Sequence, residues 1–451
     1  MTLARNKKPP GAAGAAASWV ERSLATVWHP CTQMQWHPEL PMLPIARAEG
    51  PWLVGHDGAR YFDAISSWWV CLLGHRHPAV VQALREQLDT LDHVMLAGLT
   101  HAPAVELSEK LAEKTGRVLG HALYGSDGSS AVEMALKMSA HAAQHRGFPD
   151  KNRFVCLAHG YHGETLGALG VTDLAGFRAP YERLIRGALV APNADARQAL
   201  AGETARDVAL REARRLEALL SEHGERIAAV ITEPLVQCAG GMIFHDAEYL
   251  RQVRALCERY AVAWIADEIA VGCGRTGTFF ACERAGVWPD LLCLSKGLSG
   301  GMLPLSVVLC RDELYRLFLG DSASRAFLHS HSFSGNPLAC RAALATLDVL
   351  EKDDVLAGNR ARAERLTTRL APVARHERVR HFRQLGMIWA WDVEGAPQDF
   401  SQRVFRIALR HELLLRPLGC TVYLMPPFLL GPDEIDALGG RVVAAMHEAL
   451  A

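Results

Sequence analysis

Four short runs of consecutive apolar residues place the strongest constraint on the fold of this 451-residue chain. They are IAAVITEP, VAWIADE, LLCLSK and LSVVLC, and they lie between residues 227 and 310. Such runs, ended by polar residues, are typical of strands buried on both faces of a sheet. Apolar spacing predicts amphipathic helices at residues 77–91, 100–116, 129–145 and 246–261, and the last of these separates the first two runs. This alternation predicts an α/β fold with a mainly parallel sheet flanked by helices.

We expect three segments along the chain. Residues 1–76 contain a flexible tail, rich in alanine and glycine at its start, and a part that contributes to the small domain and the active site. Residues 77–343 form a large domain around the parallel sheet. Residues 344–451 form a smaller α+β domain, reached through a long arginine-rich helical stretch at about 344–375. A hairpin is predicted at residues 50–63.

The composition excludes several classes of protein. A net charge of −1 gives no electrostatic basis for binding nucleic acid or an anionic membrane. No apolar run reaches membrane-spanning length, and the first residues do not form a secretory signal. The 11 cysteines contain no CxxC pair, which is typical of reduced thiols. We therefore expect a cytoplasmic globular protein.

Three ionisable residues stand where predicted strands end. Glu233, Asp267 and Lys296 follow AAVIT, VAWIA and LLCLS. Ligands of parallel sheets collect at the carboxyl ends of the strands. Lys296 is the one lysine between Lys151 and Lys352 in an arginine-rich chain, and a desolvated lysine amine is a nucleophile. The alternatives are a structural ion-pair network and a lysine whose amine simply reaches solvent from a strand end.

Two glycine-containing turns suggest the rest of a ligand site. In YGSDGSSAVEMALK, Gly128 and Ser129 open a helix whose free N–H groups suit a phosphate, although a plain helix cap would look the same. In HGYHGETLGALG, glycines flank Tyr161, and we expect this loop to place the aromatic ring beside a flat ligand. The other interpretation of this loop is a metal site formed by His159, His162 and Glu164.

VGCGRTG, at residues 271–277, matches the GxGxxG pattern of dinucleotide-binding proteins but has the wrong context. Two acidic residues precede the turn, and the following TFFACE is a poor helix start. A lysine amine, a carboxylate, a phosphate-binding turn and an aromatic ring together match the needs of pyridoxal 5′-phosphate instead.

The sequence resembles the class III aminotransferases of the fold-type I pyridoxal-phosphate enzymes over nearly its whole length. The resemblance rests on ITEPLVQCAGG, WIADEIAVGCGRTG, PDLLCLSKGLSGG, GYHGET and SFSGNPLAC. It implies that Lys296 binds the cofactor covalently and moves the substrate proton, and that Asp267 keeps the ring nitrogen protonated. It also implies that Gly128 and Ser129 bind the phosphate and that Tyr161 stacks on the ring.

Further motifs narrow the resemblance to the class III enzymes that move an amino group from S-adenosylmethionine to 8-amino-7-oxononanoate in biotin synthesis. They are WHPCTQM, SSWWVCLLGHRHP, HVMLAGLTHAPAVEL and LLLRPLGCTVYLMPP. This closer match implies a substrate site lined by Trp68, Tyr161, Arg416 and Tyr423. It also implies a homodimer with shared active sites, in which Ser332 reaches the neighbouring subunit's phosphate.

One departure and several alternatives remain open at this stage. Cys31, in WHPCTQM, stands where the family usually has a tyrosine that borders the substrate pocket. The alternatives are an ω-amino acid–pyruvate or ornithine-type aminotransferase, lysine as the amino donor, a catalytically silent binding protein, and a nucleotide-dependent oxidoreductase.

Overall fold

The computed structural model describes residues 12–37 and 39–451. The first eleven residues of the predicted tail lie outside this part of the chain. The tail prediction is wrong from residue 12 onward, because helix α1 spans Ala12–Thr26. Within the described residues, no helix has both the length and the apolar character that a membrane crossing requires.

The described chain forms strands and helices that alternate through its middle. The strands are β1 Ile45–Glu49, β2 Trp52–Gly55, β3 Arg60–Asp63, β4 His121–Gly125, β5 Arg153–Leu157, β6 Leu189–Ala191, β7 Ile227–Thr232, β8 Val236–Gln237, β9 Ile243–Phe244, β10 Ala263–Asp267, β11 Leu291–Leu294, β12 Ser306–Cys310, β13 Val379–Leu385, β14 Ile388–Val393, β15 Leu413–Leu414 and β16 Thr421–Leu424. The helices after α1 are α2 Ser66–Trp69, α3 Pro78–Leu88, α4 Ala102–Lys114, α5 Gly128–His145, α6 Leu166–Gly170, α7 Ala175–Arg178, α8 Ala205–His223, α9 Ala247–Arg259, α10 Asp312–Arg316, α11 Pro337–Lys352, α12 Val355–Arg369, α13 Ala371–Ala374, α14 Phe400–Arg410 and α15 Pro432–Leu450.

A seven-stranded sheet carries the centre of the molecule, in the order β4-β12-β11-β10-β7-β5-β6. All its strands are parallel except β12, which pairs antiparallel with both β11 and β4. Every residue of β7, β10, β11 and β12 is buried. Successive residues of these strands face opposite layers: Trp264 packs in the core shared with α8 and α9, and Ile265 packs in the core shared with α5. The mainly parallel α/β sheet predicted from the four apolar runs is confirmed.

Three smaller sheets accompany the large one: the first joins early and late strands of the chain, the second contains late strands only, and β8 pairs with β9 in the third. The first has the order β1-β2-β3-β15, and its β15 runs parallel to β3 with Leu413 opposite Phe62. The hairpin predicted at residues 50–63 is confirmed as the β2–β3 pair. The second small sheet has the order β13-β14-β16. Strands from early and late in the sequence therefore meet beside the large sheet.

The long helical stretch expected at residues 344–375 is wrong as one element. The structure has α11, α12 and α13 there, and the first break falls at Asp353 and Asp354, where Asp354 has a φ of 42°. A left-handed residue cannot continue a right-handed helix. The expected boundary at residues 343 and 344 falls inside α11, so the three-segment division stays a prediction.

The VGCGRTG segment forms turns and is followed by no α-helix, as its sequence context indicates, although a short 3-10 helix spans Ala281–Ala285. Glu268, the residue after β10, explains part of this shape. Its two carboxylate oxygens accept hydrogen bonds from the N–H groups of Ala281 (2.7 Å) and Cys282 (2.8 Å). The side chain is buried, and burial raises its pKa to about 7. Glu268 thus ties the end of the central strand to the 3-10 helix that begins at Ala281.

Replacing Glu268 by alanine should destabilise the protein by about 3 kcal/mol, because two buried N–H groups lose their acceptor. Glu268→Gln keeps the shape and one acceptor, so its loss should be clearly smaller. The midpoints of urea unfolding measure both effects. Equal midpoints for the two variants would show that the two hydrogen bonds do not stabilise this short helix.

Candidate active site

A cavity of about 300 Å³ opens at the carboxyl ends of β7, β10 and β11. The sequence-predicted residues that line it are Gly128, Ser129, Tyr161, Asp267 and Lys296. Parallel neighbours β7, β10 and β11 bring their polar end residues to one edge of the sheet, as the strand pattern predicts.

Lys296 lies directly after Ser295, at the exit of β11, with a left-handed φ of 41°. Its Nζ is 4.7 Å from the ring centroid of Trp69. Removal of the amine from bulk water lowers its pKa, although the negative charges of Asp267, Cys238 and Glu233 act in the opposite direction. A larger fraction of the amine is therefore uncharged and nucleophilic near neutral pH than in an exposed lysine.

Asp267 faces the same cavity with a fixed orientation. Its Oδ2 is 2.7 Å from Nδ1 of His162, and its Oδ1 accepts a hydrogen bond from the N–H of Ile269 at 3.1 Å. Nε2 of His162 is buried and has no partner among the described residues. Protein groups thus hold both carboxylate oxygens in place. The carboxylate can still accept a hydrogen bond from an N–H or O–H group of a ligand in the cavity. The described residues contain no cluster of three or more side chains suited to a metal, so the metal interpretation of His162 gains no support.

Glu233 follows β7 and supports the loop that carries Tyr161. Its Oε1 accepts from the N–H of Tyr161 and its Oε2 from the N–H of Cys238, each at 3.0 Å. Burial raises the pKa of Glu233 to about 7, and the nearby Asp267 adds to this rise. The sequence placed Glu233 at the strand end but gave no sign that both its oxygens bind backbone. A carboxylate so occupied acts as a support for the loop.

The N-terminus of α5 forms one end of the cavity. Asp127 caps it by accepting the N–H of Ser130 at 2.9 Å, and the N–H groups of Gly128 and Ser129 have no acceptor among the described residues. The hydroxyl of Ser129 accepts from the N–H groups of Glu164 (3.2 Å) and Thr165 (3.1 Å), so it is already engaged. Free N–H groups at the positive end of a helix suit a phosphate, and here they come from the backbone.

Tyr161 forms one wall of the cavity, which Ile269 and Ala270 also line. The phenol donates a hydrogen bond to Oε1 of Glu164 at 2.8 Å, which restrains the ring. An aromatic face combined with aliphatic side chains suits a flat ring.

The predicted substrate residues lie next to this cavity. The guanidinium of Arg416 lies 5.3 Å from the ring centroid of Trp68, which is 44% exposed. Trp69 lines the cavity itself, and its Nε1 donates to the hydroxyl of Tyr423 at 3.3 Å. Tyr423 is 2% exposed and lies behind Trp69. Trp68 and Arg416 are thus placed at the solvent side, while Tyr423 is a buried support.

The two tryptophans are carried by α2, a one-turn left-handed helix. All four residues from Ser66 to Trp69 have φ between 46° and 73°. Ser66 Oγ donates to the carbonyl of Met425 at 2.7 Å, and Ser67 bonds Asp63 through its N–H (2.9 Å) and its hydroxyl (2.7 Å). Left-handed backbone costs about 1–2 kcal/mol per non-glycine residue. The sequence SSWW contains no glycine or asparagine that would signal it.

Ser332 is exposed and does not line the cavity of its own chain. The neighbouring His331 bonds Ser126 through Nδ1 at 3.0 Å, which fixes the loop near the phosphate end of the site. The role of Ser332 in binding a phosphate stays a prediction.

Gly163 should tolerate no side chain. Its φ is 120°, and a Cβ there would lie 2.4 Å from Oγ of Ser129. We expect Gly163→Ala to displace the Tyr161 loop and to destabilise the protein by about 1–3 kcal/mol. Gly176→Ala is the matched control, because a Cβ at Gly176 meets nothing within 4 Å. Thermal melting compares them, and equal melting temperatures would contradict the close approach.

Comparisons with known proteins agree with this geometry. The family model for "Aminotransferase class-III" matches residues 33–446. The adenosylmethionine-8-amino-7-oxononanoate aminotransferase of Helicobacter pylori is 41% identical, over 94% of this chain and 97% of the relative. The enzyme of the same name from Geobacter sulfurreducens is 37% identical, over 93% of this chain and 95% of the relative.

Solved structures agree as well. The adenosylmethionine-8-amino-7-oxononanoate aminotransferase of Methanocaldococcus jannaschii superposes with a TM-score of 0.89 at 32% identity, covering 96% of this chain and 99% of the other. An omega transaminase of Pseudomonas jessenii in complex with PMP also gives a TM-score of 0.89, at 28% identity, covering 95% of this chain and 97% of the other. The chain therefore belongs to the class III aminotransferase family.

Proposed function

We propose that this aminotransferase uses pyridoxal 5′-phosphate to move an amino group from S-adenosylmethionine to 8-amino-7-oxononanoate, which gives 7,8-diaminononanoate for biotin synthesis. The observation that carries the proposal is the single cavity that unites Lys296, Asp267 and the free N-terminus of α5. The names of the relatives at 37–41% identity support the choice of substrates.

The residues of the cavity fit the proposed cofactor. The N–H groups of Gly128 and Ser129 would hold its phosphate, Tyr161 and Ile269 would face its ring, and Asp267 would hold its ring nitrogen. When bound, the cofactor supplies a carrier for the amino group and an acceptor for the electrons of the broken C–H bond. The buried Asp267, oriented by its two hydrogen bonds, would favour a proton on the ring nitrogen.

Lys296 has two tasks in this proposal. Its amine, whose pKa is lowered by burial, would hold the cofactor as a nucleophile toward its aldehyde carbon. When it is not bonded to the cofactor, the amine of Lys296 would act as the base that moves the proton of the substrate carbon. Trp69, 4.7 Å from Nζ, limits where this amine can move.

The outer wall of the site suits the two proposed substrates. The guanidinium of Arg416, held over Trp68, would bind the carboxylate of the keto acid as a two-pronged pair. The faces of Trp68 and Tyr161 suit the sulfonium cation of the donor. Glu164 adds a negative charge at the same mouth, and the thiol of Cys31 lies 4.0 Å from its Oε1.

We also propose a homodimer with shared sites, in which Ser332 of each chain reaches the phosphate of the other. Ser332 is exposed in the single chain, and large apolar side chains around it are exposed too. Met95 is 58% exposed, Leu99 49% and Phe333 62%. Apolar side chains clustered on a surface are typical of a contact with another protein.

A donor panel tests the substrates. We expect purified enzyme loaded with cofactor to form 7,8-diaminononanoate fastest with S-adenosylmethionine, with lysine, ornithine and ω-amino acids as competitors. The Lys296→Ala variant is the inactive control, and its turnover should be lower by several orders of magnitude. A faster rate with lysine would show that lysine, and not S-adenosylmethionine, is the amino donor. A preference for pyruvate over the 7-oxo acid as acceptor would favour an ω-amino acid aminotransferase.

Mixed dimers test the shared site. Co-expressed Lys296→Ala and Ser332→Ala chains should regain one competent site per mixed dimer, because an intact lysine and an intact serine then meet from opposite chains. Lys296→Ala mixed with Asp267→Asn is the control and should stay inactive, since both residues serve the same site from one chain. If Ser332→Ala alone is impaired and mixing restores nothing, the shared site is wrong.

A further inference from the structure

A chain of three polar side chains lies outside the cavity, beside the tryptophan turn. Oδ2 of Asp63 is 2.9 Å from Nε2 of His75, and Nδ1 of the same imidazole is 3.7 Å from Sγ of Cys71. Asp63 is fully buried, Cys71 is 5% exposed, and the imidazole reaches solvent with 13% of its side chain exposed. The order carboxylate, imidazole, thiol is the arrangement that activates a cysteine.

The imidazole of His75 is held in its charged form. Burial lowers its pKa, but the hydrogen bonds with Asp63 and Cys71 outweigh burial and raise the pKa to about 10. An imidazolium donates from both nitrogens, so it can serve Asp63 and a Cys71 thiolate together.

A second cation is buried near the same thiol. Arg275 is 1% exposed, and its Nη1 donates to the carbonyl of Pro426 at 2.6 Å. Its Nε and Nη2 have no partner among the described residues. Burial lowers the pKa of Arg275 to about 10, and Cys71 is first among the nearby groups whose negative charge opposes this. A buried guanidinium needs a negative neighbour, and the carboxylate of Asp63 is among the nearby groups.

The other cysteines lack this setting. Burial raises the pKa of Cys156, Cys273, Cys310 and Cys340 to about 12, which keeps these thiols protonated and unreactive. The thiol of Cys31 is exposed, but partial burial and the charge of Glu164 raise its pKa as well.

We propose that Cys71 is a reactive thiolate and the site at which small hydroperoxides modify this enzyme. The sulfur attacks one oxygen of hydrogen peroxide, an S–O bond forms and the O–O bond breaks. The leaving hydroxide takes the proton from Nδ1 of the imidazolium, so the products are Cys71 sulfenic acid, water and neutral His75. Sulfur is oxidised and the peroxide is reduced.

Oxidation at this position acts on the turn that carries Lys296. A Cβ built on Gly301 would lie 2.9 Å from Sγ of Cys71, so the thiol already touches the backbone that follows Lys296. An oxygen added on the side of the sulfur that meets Gly301 would press against this backbone. We therefore expect sulfenic acid formation to lower turnover. This consequence rests on the proposed aminotransferase function, whereas the sulfur chemistry does not.

Hydrogen peroxide treatment of the cofactor-loaded enzyme tests the proposal. Dimedone, which traps sulfenic acids, should label the peptide of Cys71 first, and the inactivation rate should fall at least tenfold in Cys71→Ser. Cys420→Ser is the matched control, because it removes an exposed thiol elsewhere and should leave the rate unchanged. Dithiothreitol should restore activity if no dimedone is present.

A second variant separates activation from mere location. His75→Asn should slow the labelling of Cys71 severalfold although the thiol is still in place. Mass spectrometry measures this labelling rate and needs no assay of enzyme activity. Labelling confined to other cysteines, or unchanged inactivation of Cys71→Ser, would overturn the proposal. Labelling of Cys71 without loss of turnover would support the proposal that Cys71 is reactive. It would contradict the proposal that oxidation of Cys71 acts on the Lys296 turn.

Discussion

The structure depends on the burial of three ionisable groups at one edge of a parallel sheet. Glu233, Asp267 and Lys296 leave neighbouring strands and face a common cavity. Each would be costly alone, because charge is poorly solvated there. Backbone N–H groups satisfy Glu233, His162 satisfies Asp267, and the two carboxylates offset the loss of solvent around the lysine. The order of the strands in the sheet thus determines which buried charges lie close enough to stabilise one another.

Much of this arrangement could be read from residue patterns, because its causes are local. Continuous apolar runs specify buried strands, and a strand of known direction specifies where its last residue points. The positions of Asp267 and Lys296 in one cavity followed from that alone. The break at Asp354 could not, because a helical spacing of apolar residues persists on both sides of it.

Other features depend on contacts between distant residues. The occupied hydroxyl of Ser129 requires the Glu164 loop to close over it, and Glu233 supports Tyr161 across 72 residues. The left-handed α2 contains no glycine from which its conformation could be predicted. It exists because Asp63 and Met425 form hydrogen bonds with its two serines. Asp63 also binds His75, so one buried carboxylate supports both the tryptophan wall and the proposed thiolate.

The left-handed turn also bears on the order of folding. Its strain of roughly 4–8 kcal/mol over four residues is comparable with the whole stability of many domains, so the turn cannot persist unaided. One of its supports, the bond from Ser66 to Met425, joins residues 359 positions apart, and β3 finds its partner β15 at residue 413. Contacts of such separation form late, and residue 425 leaves the ribosome long after residue 66. The wall that would receive the substrate therefore forms only after residues 413 and 425 are made, and a growing chain contains Lys296, the proposed catalytic lysine, well before this wall can form.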